Sequence, residues 1–418
     1  MLRIQPSEFL LKTILLLATV FTLLFYLADF FCVYYEMDSQ GFIFLDERRI
    51  FLEQNLLIIF ALVTWLLMTI SIFLKVAYIK RFKNKDWFLL FVIIYFILYY
   101  ILSGGILRGM FFLGVLCTFF LYGFFPYLIR SYNLDKTFKS VKKIMIYMSL
   151  FFLLTPLVVF LIHYAVTFEK YFQISFFPQL YIVDSFRGLT LDRVQYTFFS
   201  GITLLFILFE KKKVLCYRLM FCLLLLGLYL ALARAGVLAL IVAVSFYTIK
   251  SKKISSKTIF RCVFFDSLFV LAAFFILSMF NHRIDLFSDG GDRIFLLSSS
   301  IEKIFDNGIV SFLFGHGNFY IVSYGHQPHN SILQSMMNFG AIITLLWLLV
   351  LYNFYNALGL KGKTLFIYVF IFGLFHVGFS AFVFMPVTVF SYFCILVFNI
   401  NDKRCVDDSS ISQRILAK

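Results

Sequence analysis

Residues 331–354 read SILQSMMNFGAIITLLWLLVLYNF, a stretch without a charged side chain. A helix needs about 20 apolar residues to cross the hydrocarbon core of a bilayer, so this stretch predicts a membrane span. Comparable apolar runs fill most of the chain. They predict an all-α integral membrane protein with about twelve transmembrane helices, at residues 10–35, 55–79, 87–104, 109–129, 144–167, 193–209, 217–233, 236–249, 262–280, 331–354, 365–381 and 384–399.

The composition agrees with this prediction. Hydrophobic residues make up 62% of the 418 residues and charged residues 14%, whereas a soluble domain carries roughly 25% charged residues. The first apolar run is longer than the apolar core of a signal peptide, which has about 7 to 15 residues, so we interpret it as the first span. The seven cysteines show no metal-ligand spacing, and no metal or other cofactor is expected.

The basic residues predict the orientation of the spans. The formal charge is +15, but Lys and Arg cluster between apolar runs, as they do in cytoplasmic loops. The clusters at 80–85, 130–143, 211–218, 250–261, 361–363 and 403–404 alternate with loops that are poor in basic residues. Both termini are therefore predicted to be cytoplasmic, and nucleic acid is not expected as a partner.

The basic residues that remain after the residues predicted to be cytoplasmic are removed differ in type. Most of them are arginines, whereas the clusters are mostly lysine. Arginine binds phosphate with a planar fork of donors, so this bias predicts an anionic, phosphorylated ligand at the outer face. Contacts to lipid headgroups and structural ion pairs are the alternative explanation. The set comprises Arg48, Arg49, Arg108, Lys170, Arg187, Arg193, Arg234, Arg283, Arg293 and Lys303.

The longest polar segment lies at 281–330, between the predicted spans at 262–280 and 331–354. It divides the chain into residues 1–280 with nine spans, the outer loop at 281–330, and residues 331–418 with three spans and a cytoplasmic tail. Within the loop, residues 293–305 carry apolar side chains at helical spacing, which predicts a short helix at the membrane interface. A long polar loop in a chain with few others is the expected place for chemistry.

Three features of the outer side are candidates for a site. Arg234 interrupts an almost charge-free stretch, and an ionisable group there is a functional candidate by default; the alternative is a tight outer turn. Arg293 opens the predicted loop helix, where an ion pair with Asp289 or Asp292 is the alternative. The third feature is His329-Asn330, followed by Gly340, since small residues allow helices to pack closely. A zinc site built from His316, His326 and His329 is conceivable, but its spacing matches no compact motif.

This set of residues resembles the superfamily of O-antigen polymerases and O-antigen ligases, bacterial polytopic membrane glycosyltransferases with a large periplasmic loop between late spans. The resemblance covers roughly 185–355. It rests on the sequence features Arg234-Ala-Gly, Gly-Asp-Arg293, Gly315-His-Gly317 and His329-Asn330 with Gly340 beyond it. The family often has Ser-Arg-Gly where this chain has Ala233-Arg234-Ala235, so only the arginine carries over. Phe186-Arg187-Gly188 resembles a further, more variable arginine position.

The resemblance implies an enzyme of the bacterial inner membrane whose donor is a glycan on undecaprenyl pyrophosphate. Arg234, Arg293 and Arg187 would bind the pyrophosphate, and His329 would be the general base, since the reference pKa of histidine is about 6.5. Asn330 and Gly340 would support the site.

The partners expected from the resemblance are the lipid bilayer, the lipid-linked glycan, an acceptor and a chain-length regulator. The AT-rich codon usage implied by abundant Phe, Ile, Tyr and Lys favours a polymerase, whose acceptor is another glycan unit. A ligase that transfers to lipid A core is the alternative. A non-catalytic polysaccharide or lipid transporter is the alternative from a different class, and it would require polar groups near the midplane of both halves.

Overall fold

A computed structural model describes residues 35–37, 43–45, 135–168, 181–182, 185–186, 193–209, 215–231, 234–252, 288–306, 308–316 and 330–375, with Ile395. This part of the chain is almost entirely helical. Its helices are α1 (Asp135–Thr167), α2 (Arg193–Phe209), α3 (Leu215–Ala231), α4 (Arg234–Lys252), α5 (Ser288–Phe305), α6 (Ile309–Phe314), α7 (Ser331–Ala357) and α8 (Leu360–Phe375).

Two short antiparallel strand pairs accompany these helices and were not predicted from the sequence. Strand β1 (Tyr35–Met37) pairs with β2 (Ile43–Leu45), and β3 (Tyr181–Ile182) pairs with β4 (Ser185–Phe186). With two or three residues per strand, neither pair forms a layer that could pack against the helices.

The described helices overlap predicted spans, but their bounds do not all agree: α8 begins at Leu360, five residues before the predicted span at 365–381, whose end lies outside the described residues. Helix α2 has the predicted bounds of 193–209. Both ends of α3 and α4 differ from the predicted bounds by two or three residues, whereas α7 starts where predicted and ends three residues later. The predicted span at 144–167 is the second part of α1. The spans at 55–79, 87–104, 109–129 and 262–280 lie outside the described residues, as do almost all of 10–35 and 384–399.

In the described part of the chain, α7 is the one helix that is both long and apolar enough to cross a membrane. Shorter apolar stretches occur at Leu153–Thr167, Tyr196–Phe209, Arg218–Ala231 and Ala235–Ser251. Large apolar side chains such as Phe151, Leu219 and Tyr352 are exposed on these helices, which is typical of surfaces that contact a membrane or a partner. The described part of the chain is therefore mostly helical, and its one long apolar helix meets the length and composition required of a membrane span.

Helices α2, α4 and α8 pack together and are called the helix bundle below. Beyond its first turn, which carries Lys361 and Lys363, helix α8 is apolar on all sides, as expected for a helix surrounded by others. The Tyr368 hydroxyl of α8 is within hydrogen-bonding distance of the carbonyls of Thr197 (3.2 Å) and Phe198 (3.1 Å) in α2. Gly201 makes this approach feasible, because a Cβ at that position would overlap the Tyr368 ring.

A second tyrosine joins the helix bundle to α1 and α3. The ring of Tyr196 on α2 lies against Gly227 of α3, where a Cβ would be 3.0 Å from Cζ. Its hydroxyl donates to the carbonyl of Leu153 in α1 at 3.4 Å. Tyr196 and Leu153 are almost completely buried. Small residues opposite large aromatic rings therefore set the spacing between these helices.

Candidate functional site

Helix α5 is the helix that the sequence predicts at 293–305, and it begins five residues earlier, at Ser288. Its apolar side chains point to two sides. Ile304 is buried, whereas Leu297, Ile301 and Phe305 are exposed. In the last turn, Lys303 Nζ lies 2.6 Å from Asp306 Oδ2, where a cation is favoured by the helix dipole. One side of α5 thus packs inward and the other leaves an apolar stripe uncovered.

A tight turn joins α5 to α6. The Gly308 N–H donates to the Phe305 carbonyl at 2.8 Å. The Ser311 hydroxyl lies 3.0 Å from the Ile304 carbonyl and 3.1 Å from the Gly308 carbonyl. The rings of Phe305 and Phe312 stack at 5.2 Å. The hydrogen bonds from Gly308 and Ser311 satisfy carbonyls at the end of α5 that have no partner within the helix. The segment of α5, α6, Gly315 and His316 is called the loop unit below.

The loop unit packs on the first part of α7. Ile304 of α5 and Met337 of α7 form a small buried cluster, with Phe312, Leu333 and Met336 around it. The backbone N–H of His316 donates to the Met337 carbonyl at 2.9 Å, and its ring Nε2 is hydrogen-bonded to the Lys303 carbonyl. A carbonyl oxygen can only accept, so Nε2 is the protonated ring nitrogen.

Two glycines bring the loop unit and α7 into backbone contact. Gly340 has φ 76° and ψ 177° and interrupts the helical geometry of α7, and Gly315 has φ 70° and ψ −176°. Only glycine adopts this region readily. A Cβ on Gly315 would lie 2.5 Å from the Gly340 nitrogen, and one on Gly340 would overlap the Leu313 carbonyl. Gly340 was predicted to support close packing, and the structure places it at this contact.

The predicted pair His329-Asn330 lies at the start of α7. Asn330 is the N-cap of α7, and its Oδ1 accepts from the N–H groups of Ile332 at 3.0 Å and Leu333 at 3.1 Å. This cap fixes where α7 begins. His329 itself lies outside the described residues and is the residue directly before the cap.

The backbones of two predicted arginines are described, and both belong to helices. Arg293 is in the second turn of α5, and Arg234 is the first residue of α4. Two residues after Arg234, Gly236 lies against Thr197 near the start of α2 and Phe372 near the end of α8. Arg234 is therefore at the end of the helix bundle where α2 and α4 begin and α8 ends.

Arg187 lies outside the described residues, directly after β4, which packs against α3. The described contacts bring the helix of Arg293 onto the helix that starts beside His329. Arg234 belongs to the neighbouring helix bundle, which α7 joins through the short turn to α8. Of the three histidines considered as zinc ligands, His316 is described, and its Nε2 is hydrogen-bonded to the Lys303 carbonyl. His326 and His329 lie outside the described residues.

A buried polar stripe on α7 was missed by the sequence analysis. Ser331, Gln334, Ser335 and Asn338 recur at helical spacing and are all nearly inaccessible to solvent. Gln334 Oε1 and Ser335 Oγ have no hydrogen-bond partner in the described part of the chain. Unpartnered polar atoms are costly in an apolar interior. The spacing of four polar residues at i, i+3, i+4 and i+7 in a charge-free span was the signal that could have found the stripe.

Comparison with known proteins adds no family: the chain matches no protein-family model and no curated protein. The resemblance to the O-antigen polymerase and ligase superfamily therefore rests on the residues named above.

Proposed function

We propose that this protein is a metal-independent membrane glycosyltransferase that polymerises a bacterial surface polysaccharide. The observation that carries the proposal is that α5, which contains Arg293, packs on the first part of α7, which starts directly after His329. Arginines at the outer face are suited to a lipid-linked pyrophosphate, and a histidine beside them is suited to activate a hydroxyl. The donor is an oligosaccharide on undecaprenyl pyrophosphate, and the acceptor is a second lipid-linked repeat unit.

In the proposed reaction, a hydroxyl oxygen of the acceptor attacks the anomeric carbon of the donor sugar. A new glycosidic bond forms as the bond from that carbon to the pyrophosphate oxygen breaks. His329 takes the hydroxyl proton, which typically contributes about 10²–10⁴-fold to the rate. The electron pair of the broken bond leaves on the pyrophosphate, where Arg234, Arg293 and Arg187 stabilise the developing charge. Asn330 holds the start of α7, and no metal takes part.

The proposal includes a location in the bacterial inner membrane. About twelve spans leave both termini in the cytoplasm and the loop at 281–330 in the periplasm, as the basic clusters predict. The uncovered apolar stripe of α5, with Leu297, Ile301 and Phe305 exposed, supports a helix that lies in the interface with its apolar side toward lipid. The site then lies at the periplasmic face, where lipid-linked donors are presented.

The test is an electrophoretic profile of the surface polysaccharide from a strain that lacks the gene, complemented with wild type or His329→Ala. If the protein is a polymerase, the deletion strain should produce lipid A core that carries a single repeat unit. Loss of the base predicts a decrease in polymer well beyond tenfold, because base catalysis typically contributes about 10²–10⁴-fold. His163→Ala is a matched control, because His163 is a histidine of α1, outside the loop at 281–330 and outside α7.

The other outcomes separate the alternatives. If the deletion strain has lipid A core without glycan, and polymer stays on the lipid carrier, the protein is a ligase that uses lipid A core as its acceptor. A smaller than tenfold loss for His329→Ala would remove the base role and leave the arginines untouched. If no surface polysaccharide changes on deletion, the enzymatic proposal is wrong, and a transporter or another role must be considered.

A further inference from the structure

His316 is the residue through which the end of α5 and the interrupted part of α7 are joined. Its ring Nε2 donates to the Lys303 carbonyl, in the last turn of α5, and its backbone N–H donates to the Met337 carbonyl, in α7. The two acceptors are 34 residues apart along the chain, so a single residue connects two elements that are not neighbours in sequence.

Both acceptors lie where the regular helical hydrogen-bond ladder ends or is interrupted. Lys303 is among the last four residues of α5, whose carbonyls have no intrahelical partner; its carbonyl accepts from the Asp306 N–H at 3.3 Å as well as from His316. Met337 lies one turn before the interruption at Gly340. A carbonyl has two lone pairs, so the bonds from His316 add a second partner at the end of α5 and a partner from outside the helix in α7.

The apolar contacts between the loop unit and α7 are few. The buried cluster consists of Ile304 and Met337, with three partly buried neighbours. Among the described apolar side chains of α5 and α6, those that are exposed include Leu297, Ile301, Phe305, Ile309 and Val310. Because hydrophobic burial is limited here, the polar connections through His316 carry a larger share of the docking than they would in a large core.

We infer that His316 is a positioning residue: it holds α5, the helix that contains Arg293, against the first part of α7, the helix that begins two residues after His329, and the proposed reaction depends on that placement. This inference rests on the proposed glycosyltransferase function. His316 itself touches neither the donor nor the acceptor. It acts through the placement of the loop unit, and a misplacement of about 1 Å is enough to cost an enzyme about 10²-fold in rate.

The first arm of the test uses substitutions at His316 in the complemented deletion strain. His316→Ala removes the ring donor and is expected to lower polymer formation by about 10- to 100-fold. His316→Gln keeps an N–H donor at comparable reach and is expected to remain within about threefold of wild type, since one hydrogen bond to the carbonyl is retained. His163→Ala, which changes a histidine of α1, should leave the polymer unchanged.

The second arm restores the docking by another means. Ile304→Cys and Met337→Cys place two thiols in the cluster that joins α5 to α7, in a chain whose seven native cysteines are replaced by alanine. Oxidation should connect the two helices and return most of the activity to the His316→Ala variant. The same pair in a chain with His316 intact is the control, and each single cysteine variant shows what oxidation does without a cross-link.

The outcomes are distinct. Activity in His316→Gln together with rescue by the disulfide supports a positioning role. If His316→Gln is as inactive as His316→Ala and the disulfide restores nothing, the imidazole has a chemical role and the inference is wrong. If His316→Ala forms normal polymer while the gene deletion does not, the inference fails and the proposed function stands. If the deletion itself changes no polysaccharide, the proposed function fails, and the positioning inference fails with it.

Discussion

The helix bundle of α2, α4 and α8 and the loop unit on α7 are both helical, but different contacts hold them together. In the bundle, large buried side chains such as Phe198, Tyr368 and Phe372 contact one another. In the loop unit, the contacts run largely through backbone groups: His316 to Met337, and the glycine pair Gly315 and Gly340. Much of its apolar surface remains exposed.

Because of this difference, we expect the two regions to respond differently to amino-acid substitutions. A bundle held by many dispersed side-chain contacts loses a little of its stability with each small change. A unit held at a few points by backbone geometry fails when one of those points is blocked, because packed backbones have no flexible atoms to move aside. The loop unit also contains Arg293 and packs on α7, the helix that begins two residues after His329.

The largest expected effect is at Gly340. Gly340→Ala places a side chain in a backbone region that is strained by about 1–3 kcal/mol for other residues, and its Cβ would overlap the Leu313 carbonyl. We expect a large decrease in the thermal unfolding temperature of the detergent-solubilised protein. Gly308→Ala is the matched control, since Gly308 has φ 67° and a Cβ there would have nothing within 4 Å. An equal effect of both variants would mean that the close contact with α6 contributes nothing.

The next largest effect is expected in the bundle, at Gly201. A Cβ there would lie 2.8 Å from Tyr368 Cε2 and closer still to the hydroxyl end of the ring, and overpacking of this kind costs about 1–3 kcal/mol. Tyr368→Phe alone removes a hydroxyl that donates to α2, at about 0.5–1.5 kcal/mol.

The double variant Gly201→Ala/Tyr368→Phe should be less unstable than the sum of the two single variants, because the added methyl group and the missing hydroxyl share one space. Thermal unfolding of the three variants measures this. Strict additivity would show that Gly201 and Tyr368 are not in contact, and it would weaken the description of the bundle as a set of glycine and tyrosine pairs.

The smallest effects on stability are expected for two buried serines, Ser311 and Ser335, which should respond differently to substitution by alanine. The Ser311 hydroxyl in the loop unit is within donating distance of the Ile304 carbonyl at the end of α5 and of the Gly308 carbonyl before α6, so Ser311→Ala should lower the stability by about 0.5–1.5 kcal/mol. Ser335 in α7 is fully buried, and its hydroxyl has no partner in the described part of the chain. Ser335→Ala should therefore be neutral or slightly stabilising. A clear loss of stability for Ser335→Ala would indicate a partner for this hydroxyl, and the polar stripe would then be a structural contact.

Much of the helical framework could be predicted from the sequence. The bounds of α2 at 193–209 and the start of α7 at Ser331 follow from apolar runs between polar segments, because the length of a span and the need to satisfy backbone groups leave few alternatives in lipid. The helical spacing at 293–305 likewise predicted α5. The two short strand pairs and α6 were not predicted, because segments of two to six residues carry too little periodicity.

The candidate site was predicted only as residue types at sequence positions. The choice of Arg234, Arg293 and His329 came from their chemistry and from a resemblance, and their convergence remains a prediction. The sequence pointed to Gly340 as a residue that allows close packing, but its left-handed φ and its contact with Leu313 depend on a segment 27 residues earlier. No local pattern contains that information.

The sequence by itself determined that the described part of the chain is mostly helical, that α7 is long and apolar enough to span a membrane, and that charge-bearing segments separate the apolar runs. These properties depend on hydropathy and periodicity, which are local. Only the tertiary structure decided that His316 connects α5 to α7, that Gly315 meets Gly340, and that Tyr368 reaches the backbone of α2. Such contacts depend on which distant segments come together, and that is decided by packing over the whole fold.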